Sequence, residues 1–340
     1  MSSSDPRVMR IRRKVARMPD LPPTRTVDAV RPRGRRLWHV LSWLLSALLL
    51  ALAAWLLHRY LGAMRWRDVA LALHQLPRAH VVGAVALTAL SFATLAAFDV
   101  LAARSVAPAT ASPRLAAFAG FAAHALSNTL GFHAFTGGAV RYRIYASAGL
   151  GAGDVGRIVG LASLGVGFGY AVLGAAGLLM EPAIAAGWGR LAGGVIVALL
   201  AALLGWLARP RTLRLHRWSV ALPGSSGAAL QMAVGGVEMS AAIGAMYLLL
   251  PPAIAPAFAD FVPLYLAALL AGIVSHAPGG LGVFEAILLG AFPAQARADV
   301  LAGLLCYRLI YNLLPFSVAT LALGLFEARR RRRMHTSRGH

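Results

Sequence analysis

The chain has 340 residues, 59% of them hydrophobic and only 13% charged, with a mean hydropathy of +0.67, values that exclude a soluble globular domain of this size. Its net charge is +21, yet 17 of the 33 basic residues lie before residue 37 or after residue 328, so the charge flanks apolar segments and does not outline a nucleic-acid face. The single cysteine, Cys306, leaves no intrachain disulfide and no cysteine metal cluster.

Residues 1–36 form a basic, proline-containing stretch that is too long for a signal peptide and lacks a small-residue cleavage site; a disordered cytoplasmic tail is expected. Apolar runs near 37–57, 79–101, 158–180, 191–208, 228–250 and 299–326 approach or exceed the ~20 residues that cross a bilayer core. They predict six membrane helices. Two further apolar regions, 115–143 and 258–292, are interrupted by glycine-rich polar stretches: Ser127 to Gly138 in the first, Ser275 to Gly282 in the second. The half-segments are too short to span ~30 Å as helices. Irregular backbone survives at membrane depth only inside protein or beside water, so both breaks are expected to line a cavity. The fold class is therefore all-α: a polytopic membrane helical bundle of about six full spans plus two re-entrant broken elements. The transmembrane domain covers 37–327, and 328–340 forms a second basic cytoplasmic tail.

Treating both interrupted regions as re-entrant puts Arg141, Arg143, Arg157 and the basic loop Arg209 to Arg217 on the same side as both termini. That side is the cytoplasm by the positive-inside rule, and the location is a bacterial inner membrane. Arg59, Arg65, Arg67 and Arg78 conflict with this topology, and an interfacial helix around Trp66 accommodates them. Two broken elements entering from opposite faces match the pattern of an inverted repeat with its site near the midplane.

Charges within spans are functional candidates by default. Glu238 lies mid-span and Arg308 about nine residues into the last helix; they could form an intramembrane pair or meet substrate. Arg308, Tyr311 and Asn312 have i, i+3, i+4 spacing, which shares one helical face with Pro315 a turn later. An arginine fork with two hydrogen-bonding neighbours suits a phosphate headgroup, or equally serves as polar glue between helices. Glu285, three residues after Gly282, caps a half-helix or faces substrate. Gly137 and Gly138 precede Arg141, Arg143 and Tyr145 in a segment that binds an anion or anchors at the interface. Pro278, Gly279, Gly280 and Gly282 are hinge candidates, and Asn128 and His276 are polar candidates within the two breaks. Asp99 reads as interfacial and Asp154 as an N-cap. No metal-ligand spacing, nucleophile elbow or nucleotide loop is present, so no metal, cofactor or catalytic residue is expected.

The segments Asn128-Thr129-Leu130-Gly131-Phe132 and Thr136-Gly137-Gly138-Ala139-Val140-Arg141-Tyr142-Arg143-Ile144-Tyr145, then Ser275-His276-Ala277-Pro278-Gly279-Gly280-Leu281-Gly282-Val283-Phe284-Glu285, then Tyr307-Arg308-Leu309-Ile310-Tyr311-Asn312-Leu313-Leu314-Pro315, together resemble the flippase half of the multiple peptide resistance factor, the lysylphosphatidylglycerol synthase/flippase. The resemblance covers roughly residues 37–327. It implies translocation of aminoacylated phosphatidylglycerol or a related phospholipid between leaflets, which lowers surface negative charge and resists cationic antimicrobial peptides. The bifunctional relatives carry a soluble aminoacyltransferase domain after this region. The chain stops at His340 without it, so no enzyme activity is expected. Expected partners are anionic or aminoacylated membrane lipids and no nucleic acid; homo-oligomerisation stays open. The alternative is a non-transporting membrane subunit that partners a separate lipid-modifying enzyme, an aminoacyltransferase or a glycosyltransferase.

Overall fold

In a computed structural model, the structure describes residues 66–131, 133–180, 188–209, 211–215, 218–275 and 277–336. They belong to one compact unit, 45–340. The predicted N-terminal tail, the first predicted span at 37–57 and His276 lie outside the described residues.

The other five predicted spans are all present as helices long and apolar enough to cross a membrane. Pro77 opens α2 (Arg78–Val106) with an extended backbone. The 29 residues of α2 rise about 43 Å, and α5 (Ala152–Met180) is equally long. Next come α6 (Trp188–Trp206) and α7 (Ser225–Tyr247). The last span runs without interruption of its helical backbone from Ala294 to Arg330, as α10 (Arg297–Tyr307), a π-helical turn (Arg308–Leu313) and α11 (Leu314–Thr336). Helix α11 therefore carries on through much of the segment read as a tail, because an arginine run in a helix already nucleated keeps good helix propensity. The helix expected around Trp66 is present as α1 (Trp66–Gln75), which packs on α10. The basic loop holds a short antiparallel hairpin, β1 (Thr212–Leu215) with β2 (Trp218–Ala221), the one departure from an all-α bundle among the described residues.

The first interrupted region is a pair of helices, α3 (Pro113–Leu130) and α4 (His133–Ala146), packed on each other. Ser112 starts α3 by accepting the Leu115 N–H, with Pro113 in the first turn. The break falls at Gly131, whose φ of +78° is open mainly to glycine, and the Thr136 hydroxyl donates to the Gly131 carbonyl across it. Gly137 and Gly138, expected at a hinge, lie inside α4 instead. The cost of a helical glycine is only about 1 kcal/mol, and at Gly137 the absent side chain leaves room for the Arg141 guanidinium.

The second region breaks where the glycines do. Helix α8 (Phe258–Val274) ends at Ser275, a 3₁₀ turn spans Pro278–Gly280, and α9 (Val283–Ala291) follows. Gly279, Gly280 and Gly282 all have positive φ. At 17 and 9 residues, α8 and α9 rise about 26 and 14 Å, too little for either to cross alone.

Helices α2, α5 and α7 pack mutually at the centre. Without water to drive apolar contact, such packing depends on close backbone approach at small residues. A Cβ on Gly169 would lie 2.6 Å from the Gly235 carbonyl oxygen, and one on Gly235 would lie 2.7 Å from the Gly169 nitrogen. Both obstacles are backbone, so a methyl group must separate α5 from α7. Gly169→Ala is expected to destabilise the purified protein by about 1–3 kcal/mol, whereas Gly167→Ala on the same helix, with no neighbour within 4 Å of its Cβ, leaves the melting temperature unchanged. Equal melting of the two variants would show that the α5–α7 contact is not close-packed.

Candidate functional site

Two buried ion pairs divide the candidate residues. In the first, Arg141 on α4 reaches Asp99 on α2 with Nε to Oδ1 at 2.8 Å and Nη2 to Oδ2 at 2.7 Å, a bidentate fork. His124 Nε2 lies 2.9 Å from Nη2, and the Tyr145 hydroxyl donates to Oδ1 at 3.4 Å. Asp99 is therefore not interfacial: it is wholly buried, and Gly120 lets it approach so closely that a Cβ there would meet its carboxylate at 2.7 Å. The side chains of Arg141 and Asp99 are 7% and 0% exposed, and neither is open to a ligand. This pair locks the first broken element to α2. Arg143, by contrast, is mostly exposed and pairs with Glu327 on α11 at 2.8 Å.

In the second pair, Arg308 donates through Nε to Glu285 Oε1 at 2.6 Å and through Nη1 to the Gly279 carbonyl at 2.7 Å. Its Nη2 also sits 2.6 Å from Oε1. It makes no hydrogen bond of its own among the described residues. Glu285 uses Oε2 to accept the Gly282 N–H, fixing the start of α9. The guanidinium also lies over the Phe284 ring. Here the side chains are 19% and 12% exposed, so this pair can be reached.

The two broken elements meet beside it. A Cβ on Gly279 would lie 3.1 Å from the Asn128 carbonyl and 3.2 Å from that of Thr129. Asn312 donates through Nδ2 to the Asn128 carbonyl at 3.2 Å, and Thr129 donates to the Asn312 carbonyl at 3.2 Å. The buried Asn312 Oδ1 has no partner among the described residues. The end of α3, the 3₁₀ turn and the π turn thus converge on one polar junction holding Asn128, Gly279, Gly280, Glu285, Arg308 and Asn312.

The shared α-helical face drawn through Arg308, Tyr311 and Asn312 does not form, because these residues stand in the π turn. The Leu314 N–H bonds to the Leu309 carbonyl, five residues back. Pro315 offers no N–H and its ring crowds the preceding turn, strain that a wider turn relieves. Arg308 and Asn312 still reach the junction, while Tyr311 points to a separate centre. Its hydroxyl lies 2.8 Å from Ser91 Oγ, which donates to Glu238 Oε1 at 2.9 Å. Glu238 and Arg308 consequently do not pair.

Asp99, Ser91 and Tyr307, which stacks on the predicted Tyr311, were not singled out from the sequence as site residues. Asp99 was findable as an acid within an apolar run, and Ser91 as the polar residue two turns earlier on the same face. Asp154, read as a cap, instead pairs with Arg157 one turn on in α5.

No family model matches the chain. Over 139 residues it is 35% identical to an uncharacterized protein of Synechocystis, covering 41% of this chain and 42% of that one. Over 140 residues it is 25% identical to the inner membrane protein YbhN of Escherichia coli, with 40% and 43% covered. A shorter stretch of 74 residues is 38% identical to a phosphatidylglycerol lysyltransferase of Staphylococcus xylosus, covering 21% of this chain and 9% of that enzyme. The matched stretches span less than half the length of each curated relative. With apolar helices long enough to span and an inner-membrane relative, the chain is a multi-pass membrane protein folded as an all-α helical bundle.

Proposed function

We propose that the protein translocates phospholipid headgroups between leaflets of a bacterial inner membrane, with phosphatidylglycerol or its aminoacylated form as cargo and both termini in the cytoplasm. One observation carries the reading: a reachable Arg308–Glu285 pair sits where two membrane-interrupting elements meet. A headgroup phosphate entering the junction takes up the bidentate face of Arg308 in place of the Glu285 carboxylate. Glu285, relieved of its cation, faces an ammonium group on an aminoacylated headgroup. Asn312 Oδ1 accepts from a headgroup hydroxyl or ammonium, and the acyl chains stay in lipid. Arg141 and Asp99 hold the scaffold and take no part in binding. The local likeness to a phosphatidylglycerol lysyltransferase supports this lipid class. Transport is favoured over bond-making because, among the described residues, the polar side chains of the junction engage one another as an ion pair and hydrogen bonds.

The test is leaflet exchange of labelled phosphatidylglycerol and lysylphosphatidylglycerol in proteoliposomes containing the full chain. Exchange at least about tenfold above protein-free vesicles, a barrier lowered by ~1.4 kcal/mol, is expected for one or both lipids. Exchange no faster than in protein-free vesicles would sink the transport reading and favour a non-transporting subunit of a lipid-modifying enzyme.

A further inference from the structure

Glu238 is a buried charge-bearing group that neither ion pair uses. It lies midway along α7, is 3% exposed, and uses only Oε1 for hydrogen bonds, from Ser91 at 2.9 Å and more weakly from Tyr311 at 3.5 Å. Oε2 is fully buried with no partner among the described residues. Among the described residues, the helices packed on α7 bring no cation to it. Helix α2 presents Ser91, with Asp99 two turns further on and already tied to Arg141. Tyr170 comes from α5, Tyr265 from α8, Tyr307 from α10 and Tyr311 from the π turn, all within electrostatic reach of Glu238. Helix α6 contributes only Arg190, in its first turn. Arg308, next to Tyr307, is held by Glu285 and the Gly279 carbonyl.

A carboxylate withdrawn from water and given no cation is far costlier than a neutral acid in the same place. We propose that Glu238 is a proton-binding site that couples this membrane protein to the proton gradient. Its carboxylate takes one proton on Oε2 to become the acid, and returns that proton to water when the site opens. Tyr311 supplies the linkage. It hydrogen-bonds the Glu238 cluster from the same π turn that begins with Arg308. If a headgroup draws Arg308 away from Glu285, the π turn can relax towards α, which rotates Tyr311 relative to Ser91 and Glu238. Protonation of Glu238 and occupancy of Arg308 thereby become reciprocal. The coupling half of this proposal rests on the transport reading; the proton-binding half does not.

Infrared difference spectra of the full chain in phosphatidylglycerol vesicles, recorded against pH in H₂O and D₂O, test the binding half without any transport. A deuterium-sensitive C=O band of a protonated carboxyl group is expected to titrate in the wild type and to be absent in Glu238→Gln. Ser91→Ala keeps the carboxyl group but removes its hydrogen-bond donor, so the midpoint of the band should shift. Superimposable spectra from wild type and Glu238→Gln, or an unmoved midpoint in Ser91→Ala, would overturn the site. For the coupling half, lipid exchange is timed with and without an imposed pH gradient. The wild-type ratio should differ severalfold from one, and in Glu238→Gln it should fall to about one. A wild-type ratio of one, or a response to a sodium gradient at equal pH, would overturn proton coupling. A titrating band without lipid exchange would remove the transport reading and leave the proton site standing.

Discussion

Asp99→Ala should be the most damaging single substitution in the described bundle, destabilising it by about 3–5 kcal/mol. The figure is the usual consequence of removing one partner from a buried pair, because the surviving charge is left without compensation. Here Arg141 would lose both its bonds to a carboxylate, at 2.8 and 2.7 Å, inside an interface where its side chain is only 7% exposed, keeping only its contact with the His124 ring, and the Tyr145 hydroxyl would lose its acceptor. The cavity would have no access to water that could replace them. Asp99→Asn is the milder variant, since it retains one carbonyl acceptor but not the charge. The check is the amount of membrane-inserted protein and its melting temperature in detergent. Replacing both partners by apolar residues, Asp99→Leu with Arg141→Met, should recover much of the loss, because no isolated charge remains. A single Asp99→Ala that melts like the wild type would mean that the pair is not desolvated as the structure has it.

The span pattern was legible because hydrophobic length is a one-dimensional property of the chain. All five apolar runs that fall in the described residues became long helices, and the second glycine-rich break lies at Gly279, Gly280 and Gly282, which take up positive φ without a side chain. The first break falls at Gly131, inside the predicted stretch from Ser127 to Gly138, but the hinge glycines named within it were not the ones that turn the chain. A double glycine at 137–138 looked like a hinge, whereas the chain turns at Gly131 and spends Gly137 on making space for Arg141. Sequence offers no means of distinguishing glycine used for conformation from glycine used for proximity. Charge pairing was equally hidden. Arg308 lies 23 residues from its actual partner Glu285, and Arg141 lies 42 from Asp99, separations set by which helices adjoin and not by local spacing. The π turn was missed for a related reason: Pro315 announces a disturbance upstream, but i, i+3, i+4 spacing presupposes the α register that the disturbance removes.

Arg308→Ala is expected to lower lipid exchange by at least about tenfold, equivalent to ~1.4 kcal/mol of transition-state stabilisation, with a smaller effect on stability than Asp99→Ala. The pair is less buried, at 19% and 12% exposed against 7% and 0% for Arg141 and Asp99, and Glu285 retains its bond from the Gly282 N–H when the arginine is gone. Arg308→Lys keeps the charge without the planar fork that reaches both Glu285 and the Gly279 carbonyl, and should fall between wild type and alanine. Glu285→Gln separates charge from capping, since the amide oxygen can still accept the Gly282 N–H. If Glu285 competes with phosphate for Arg308, this variant should exchange phosphatidylglycerol as fast as the wild type or faster. If Glu285 also meets the cationic end of an aminoacylated headgroup, exchange of lysylphosphatidylglycerol should drop in the same preparation. The ratio of the two rates is thus the informative quantity, because a folding defect would depress both alike. Parallel loss of both activities in Glu285→Gln would reduce the carboxylate to a helix cap, and undiminished exchange in Arg308→Ala would remove the junction from the transport path.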